Sequence, residues 1–138
     1  MVIDASVIVA ILTREPGHEA LEKRLAEIGG QLFVSPLVMF EATVALARQK
    51  SGTRKPSPDL LRKAQHTIKT FVEDISAEET IISQEIGRLA IDASATYGKA
   101  VGHVADLNFG DCFAYACAKA LGVPLLYKGN DFAYTDLA

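Results

Sequence analysis

The sequence predicts an α/β domain in which a parallel sheet carries helices on both faces. Two observations lead there. Short runs of β-branched and aliphatic residues, at 1–4, 31–34 and 123–127, alternate with longer segments of helical period. From Cys112 to Leu121 every residue except Lys119 is apolar or aromatic, the pattern of a helix buried nearly all round. A sheet covered on both sides provides that burial. At 138 residues, nearly half of them hydrophobic, the chain is expected to form one domain, 1–138, with a full core.

Taken in order, Val2 and Ile3 make a first buried strand, which Asp4 closes. Ser6 is expected to cap the helix that follows, with Val7, Ile8, Ala10 and Ile11 inward. Pro16-Gly17 breaks the chain before an amphipathic helix over 18–28, stopped by Gly29-Gly30. A second strand covers 31–34. Ser35-Pro36, a cap followed by proline in the first turn, opens a helix to about Lys50. A polar turn over 51–58 leads to a helix over 59–72. A short third strand is expected at Asp74-Ile75-Ser76, then a long helix over 78–97 with Ile81, Ile82, Ile86, Leu89, Ala90 and Ala93 inward. A loop over 98–105 precedes the apolar helix, which Gly122 ends. The last strand, 123–127, runs into a turn at Lys128-Gly129-Asn130-Asp131-Phe132.

Composition excludes several classes. No apolar run is long enough to span a membrane, and no basic segment precedes the first apolar stretch, so a cytoplasmic protein without a secretory signal is expected. Cys112 and Cys117 stand five residues apart on one helix; they read as small core residues, neither a disulfide nor a zinc site. The net charge of −3 is unevenly spread: residues 48–69 hold seven basic side chains and one acid, a local +6 that leaves −9 elsewhere. Arg48, Arg54, Lys55, Arg62 and Lys63 within it are candidate RNA contacts, or a solvated helical face. His18, His66 and His103 show no ligand spacing. Phe40 and Phe132 read as core or dimer contacts.

The acids carry the chemistry. In open parallel sheets, sites form beyond the carboxyl ends of the strands. Asp4 ends the first strand, and Asp131 follows the last. Glu41 lies in the second turn of the helix after strand two, within its apolar stripe, where a carboxylate is costly unless paired or ligating. Asp111, in the first turn of the apolar helix, reads as a capping residue or a metal-binding wall residue. Converged on one rim, these four would repel unless cations intervened, and hard oxygen donors suit Mg²⁺ or Mn²⁺. Ser6 and Asn108 are possible supporting donors. Lys128 and Asn130 flank the group, as phosphate contacts or as parts of a surface turn.

Asp4-Ala5-Ser6, Glu41, the run 107–116 with Asn108-Phe109-Gly110-Asp111 at its start, and the run 125–132 followed by Thr135-Asp136 together resemble a VapC-type PIN-domain toxin across nearly the whole chain. The resemblance implies a three-layer α/β/α fold, a metal-dependent endoribonuclease of a type II toxin–antitoxin pair, and usually a homodimer. It also implies a cognate antitoxin whose C-terminal segment occupies the site. By motif, the family's acids fall on Asp4, Glu41, Asp111 and Asp131, and with this resemblance the metal ligands are expected to be Asp4 and Asp111; Asp136 reads as a turn or cap residue.

A haloacid-dehalogenase-type phosphatase also places an Asp after strand one, but wants a second acid two residues on, where this chain has Ser6. A phospho-acceptor receiver domain wants paired acids there. A third alternative is a catalytically silent module that only binds its antitoxin, against which Asp4, Glu41 and Asp111 all argue.

Overall fold

The computed structural model describes residues 1–138. Four two-residue strands form one fully parallel sheet: β1 (Val2–Ile3), β2 (Phe33–Val34), β3 (Glu78–Glu79) and β4 (Leu125–Leu126), in spatial order β3-β2-β1-β4. Val2 pairs with both Phe33 and Leu125, and Ile3 with Leu126. Because side chains alternate across a strand, this register sorts the core into two halves. Val2 and Leu125 pack on one face, with Phe33 against them; Ile3, Val34 and Leu126 pack on the other.

Six helices cover those faces. The Val2 side is filled by α5 (Gln84–Tyr97) and α6 (Phe109–Leu121), through Ile86, Ala90, Ala93, Ala114 and Cys117. The Ile3 side is filled by α1 (Ala5–Leu12), α3 (Pro36–Ser51) and α4 (Pro58–Asp74), with α2 (His18–Glu27) packed at its margin through Leu21 and Leu25. The result is the three-layer α/β/α arrangement around a central parallel sheet. Cys112 and Cys117 are both free and buried, as expected of core residues.

Three elements depart from the sequence reading. The third strand is Glu78–Glu79, not 74–76: Asp74 ends α4, Ile75 is its C-cap, and Ser76 turns the chain with a φ of 52°. Both β3 side chains are exposed, so this edge strand carries no apolar signal; it is held by backbone bonds, Glu78 N–H to Leu32 O and Thr80 N–H to Val34 O, each 2.8 Å. Accordingly α5 begins at Gln84 with Ser83 as its cap, and Ile81 lies exposed rather than inward. The helix α4 begins at Pro58, capped by Ser57, repeating the Ser35-Pro36 start of α3. Phe132 is core, whereas Phe40 is exposed.

Candidate active site

All four predicted acids line one open cleft of about 490 Å³ at the carboxyl ends of β1 and β4. Ser6, Glu15, Asn108, Lys128 and Gly129 complete its polar wall, and Val9 and Ala45 its apolar floor.

Asp4 leaves β1 in an extended conformation and is itself the N-cap of α1, its side chain accepting the Ser6 N–H at 2.9 Å. The cap is therefore Asp4, not Ser6, because the strand passes directly into the helix with no intervening turn. Ser6, two residues later, donates its hydroxyl to Asp4 Oδ2 and accepts the Lys128 backbone N–H at 3.0 Å. The strand bond from Asp4 N–H to Leu126 O, 2.9 Å, holds the backbone.

Asp111 completes a capping box on α6. Its N–H donates to Asn108 Oδ1 at 3.0 Å, and its Oδ2 accepts the Asn108 N–H at 2.9 Å. Both sequence readings of Asp111, cap and cleft wall, describe the same carboxylate. Glu41, half-buried on α3, lays its carboxylate directly over Gly110 of α6; a Cβ at Gly110 would overlap it. Asp131 is exposed at the rim.

The cleft's electrostatics follow from this crowding. Burial drives the Asp4 carboxyl up from its ordinary value; the Ser6 bonds oppose it and Asp131 adds to it. Burial and then the charges of Asp4 and Asp111 push Glu41 up to about 7. Burial pushes Asp111 up to about 6, with Asp4, Asp131 and Asp106 contributing, against the restraining Asn108 bond. Helix N-termini beneath Asp4 and Asp111 supply some compensating positive potential, but no cation is close enough to neutralise the group: the one lysine of the cleft is paired with Glu15. All the donors are oxygen, which fits Mg²⁺ or Mn²⁺. As the side chains stand, no three of them close around a single ion position.

Glu15 is the cleft residue that sequence patterning missed. It follows Arg14, a non-glycine residue at φ 53°, which turns the chain back after α1. No periodicity or motif signals that reversal. None of the three histidines lines the cleft. Asp136 lies in the C-terminal turn, as expected, and there it also accepts from the Tyr115 hydroxyl at 2.8 Å and pairs with Lys119 at 2.6 Å, tying the chain's last residues to α6.

Arg48, Arg54, Lys55, Arg62 and Lys63 are all exposed along the α3–α4 hairpin, outside the acid cleft and without carboxylate partners. Arg48 continues the face of α3 that bears Glu41 and Ala45. Arg62, His66 and Lys69 line a groove between α3 and α4 together with Phe40 and Leu61. No helix is long and apolar enough to cross a membrane.

Residues 1–137 match the family described as PIN domain. A VapC ribonuclease of Rhizobium meliloti is 52% identical over 138 residues, spanning 98% of this chain and 97% of its own. Ribonuclease VapC30 of Mycobacterium tuberculosis is 36% identical, spanning 100% and 96%. Among solved structures, VapC20 of Mycobacterium tuberculosis, described as a sarcin-ricin loop cleaving toxin, superposes with a TM-score of 0.74 over 99% of this chain and 95% of its own, at 13% identity; that likeness concerns the fold.

Proposed function

The chain belongs to the PIN-domain family as a VapC-type member, and from that premise we propose that it is a metal-dependent endoribonuclease toxin, cytoplasmic, homodimeric and held inactive by a cognate antitoxin. The observation that carries this reading is the convergence of Asp4, Glu41, Asp111 and Asp131 on one cleft with three of the carboxyls pushed upward. Crowded, partly desolvated acids mark a site built for cations, where a neutral or purely structural cluster would not raise its own charge density.

In this reading Asp4 and Asp111 hold Mg²⁺ or Mn²⁺, with Glu41 and Asp131 completing the acid set and Ser6 and Asn108 in support. A divalent ion there supplies Lewis acidity toward a phosphodiester and lowers the pKa of a water. The chain's own contribution is placement. Caps fix Asp4 and Asp111, and Gly110 makes room for Glu41. The Ser6 bridge ties the 128–131 turn to Asp4. Glu41, half-buried beside Asp4 and Asp111, is placed to hold or orient a water at the cleft. The basic α3–α4 face would carry the RNA backbone toward the cleft.

Purified protein free of antitoxin should cut total RNA with Mn²⁺ or Mg²⁺ and not with chelator, and Asp4→Asn should abolish the cuts. Absence of cleavage with any metal, in a folded protein that still binds its antitoxin, would favour the silent module instead.

A further inference from the structure

The cleft holds five carboxylates and a single ammonium, Lys128, whose Nζ is engaged by Glu15. This is the most enclosed lysine–carboxylate pair in the protein, with the side chains 32% and 35% exposed. Both ends are fixed from the backbone. The Lys128 N–H is bonded to Ser6 Oγ, which bonds Asp4, so the lysine's main chain is tied to the acid set. Glu15 donates its N–H to Ala10 O at 2.9 Å and accepts the His18 N–H at 3.0 Å, after the left-handed Arg14 has reversed the chain. Glu15 is thus held at the cleft wall by a backbone turn and stands apart from the capping and Gly110 contacts that organise the other acids.

Lys128 is the one cationic side chain that an RNA phosphate meets at this wall, against five carboxylates. Cations can neutralise the acids they ligate; they leave Glu15 beside its lysine. We propose that Lys128 is the cleft's own phosphate contact, and that Glu15 is an anionic placeholder which holds the ammonium in position until a non-bridging phosphate oxygen of the RNA replaces it. The inference rests on the ribonuclease reading above. It makes Glu15 a competitor of the substrate, so the two halves of one ion pair act on RNA in opposite directions. A pair that merely fastened the 128–131 turn to α1 would make both halves supportive.

The test uses the full-length protein, Mn²⁺ and a short single-stranded RNA that the wild type cuts, with KM and kcat measured at several salt concentrations. Lys128→Met should raise KM about tenfold or more, the scale of one charge-assisted hydrogen bond. The salt slope of log KM should fall by about 0.7, as for one lost phosphate contact on a single strand. Lys128→Arg should restore most of both. Glu15→Gln should lower KM by about threefold, the scale of a partly exposed ion pair. Thermal unfolding of each variant separates these effects from loss of fold. KM rising in both Lys128→Met and Glu15→Gln with the salt slope unchanged, or Lys128→Met leaving KM within error of wild type, overturns the inference while the nuclease stands. A folded wild type that cuts no RNA overturns the nuclease and the inference together.

Discussion

Asp4 serves as the helix cap of α1 and as a wall of the cleft with one carboxylate, and the two roles can be separated by substitution. Asparagine keeps an oxygen for the Ser6 N–H and removes the charge, whereas alanine removes both. In chelator, Asp4→Asn should be at least as stable as wild type, because a buried repulsive charge is gone. Asp4→Ala should lie about 1 kcal/mol below Asp4→Asn, the value of a lost cap. Urea unfolding of the two variants side by side checks this. Gly110 separates structure from chemistry in another way. The atoms nearest a methyl there all belong to the flexible end of Glu41, so Gly110→Ala should fold nearly as well as wild type. If Glu41 acts in the proposed reaction, the variant should nevertheless lose tenfold or more in kcat, because the displaced carboxylate would be out of place by about an ångström. Circular dichroism and cleavage rates on the same preparation test it. Gly98 behaves differently: a Cβ there overlaps the Ser94 backbone carbonyl, so Gly98→Ala should lower the melting temperature.

At the scale of elements, legibility tracked whether an element announced itself through side chains. The start of α3 could be read from Ser35-Pro36, and α6 from its run of apolar residues ended by Gly122, because caps and burial both leave residue signatures. Three features were not legible. The strand β3 consists of two exposed glutamates whose only strand-like property is their backbone bonding to Leu32 and Val34; its residues read naturally as the first turn of a helix, and that error lengthened α5 and turned Ile81 inward. Glu15 reached the cleft through a left-handed Arg14, a conformation that residue type does not foretell. The four acids, by contrast, could be placed on one rim from topology alone, because each sits at or just beyond a strand end or in an early helical turn. What the residues could not supply was the closeness of Glu41 to Gly110, which depends on how α3 meets α6. The basic hairpin offers its own test. Reversing Arg54, Lys55, Arg62 and Lys63 should weaken RNA binding and flatten its salt dependence by about 0.7 per lost contact on a single strand. Affinity measured across a salt series decides it, and an unchanged slope would remove the hairpin from the RNA path.

For the whole molecule, the raised carboxyls are a stability statement with a definite sign. Glu41 moves from an ordinary 4.5 to about 7, and Asp111 from 3.8 to about 6, so the folded chain binds these protons more tightly than the unfolded one. Stability is therefore greatest where both states are protonated and declines as pH rises through the interval from about 4 to about 7. Thermal unfolding in chelator should give a melting temperature that falls between pH 5 and pH 8. Saturating Mn²⁺ should reverse the trend, adding about 2.7 kcal/mol at a hundredfold excess over its dissociation constant. A flat profile in chelator would mean that the acids are more solvated than their packing implies.

The sheet register has one more consequence. Asp4 is made at the start of the chain, yet the carbonyl that anchors its backbone is Leu126, and the hydroxyl on its carboxylate is steadied by Lys128. Asp131 arrives later still. The first hundred residues carry only Asp4 and Glu41 of the four acids, and without β4 they lack the partner that anchors Asp4. The cleft closes only when the last strand docks beside the first, so the four carboxylates are first brought together by the part of the chain that is synthesised last.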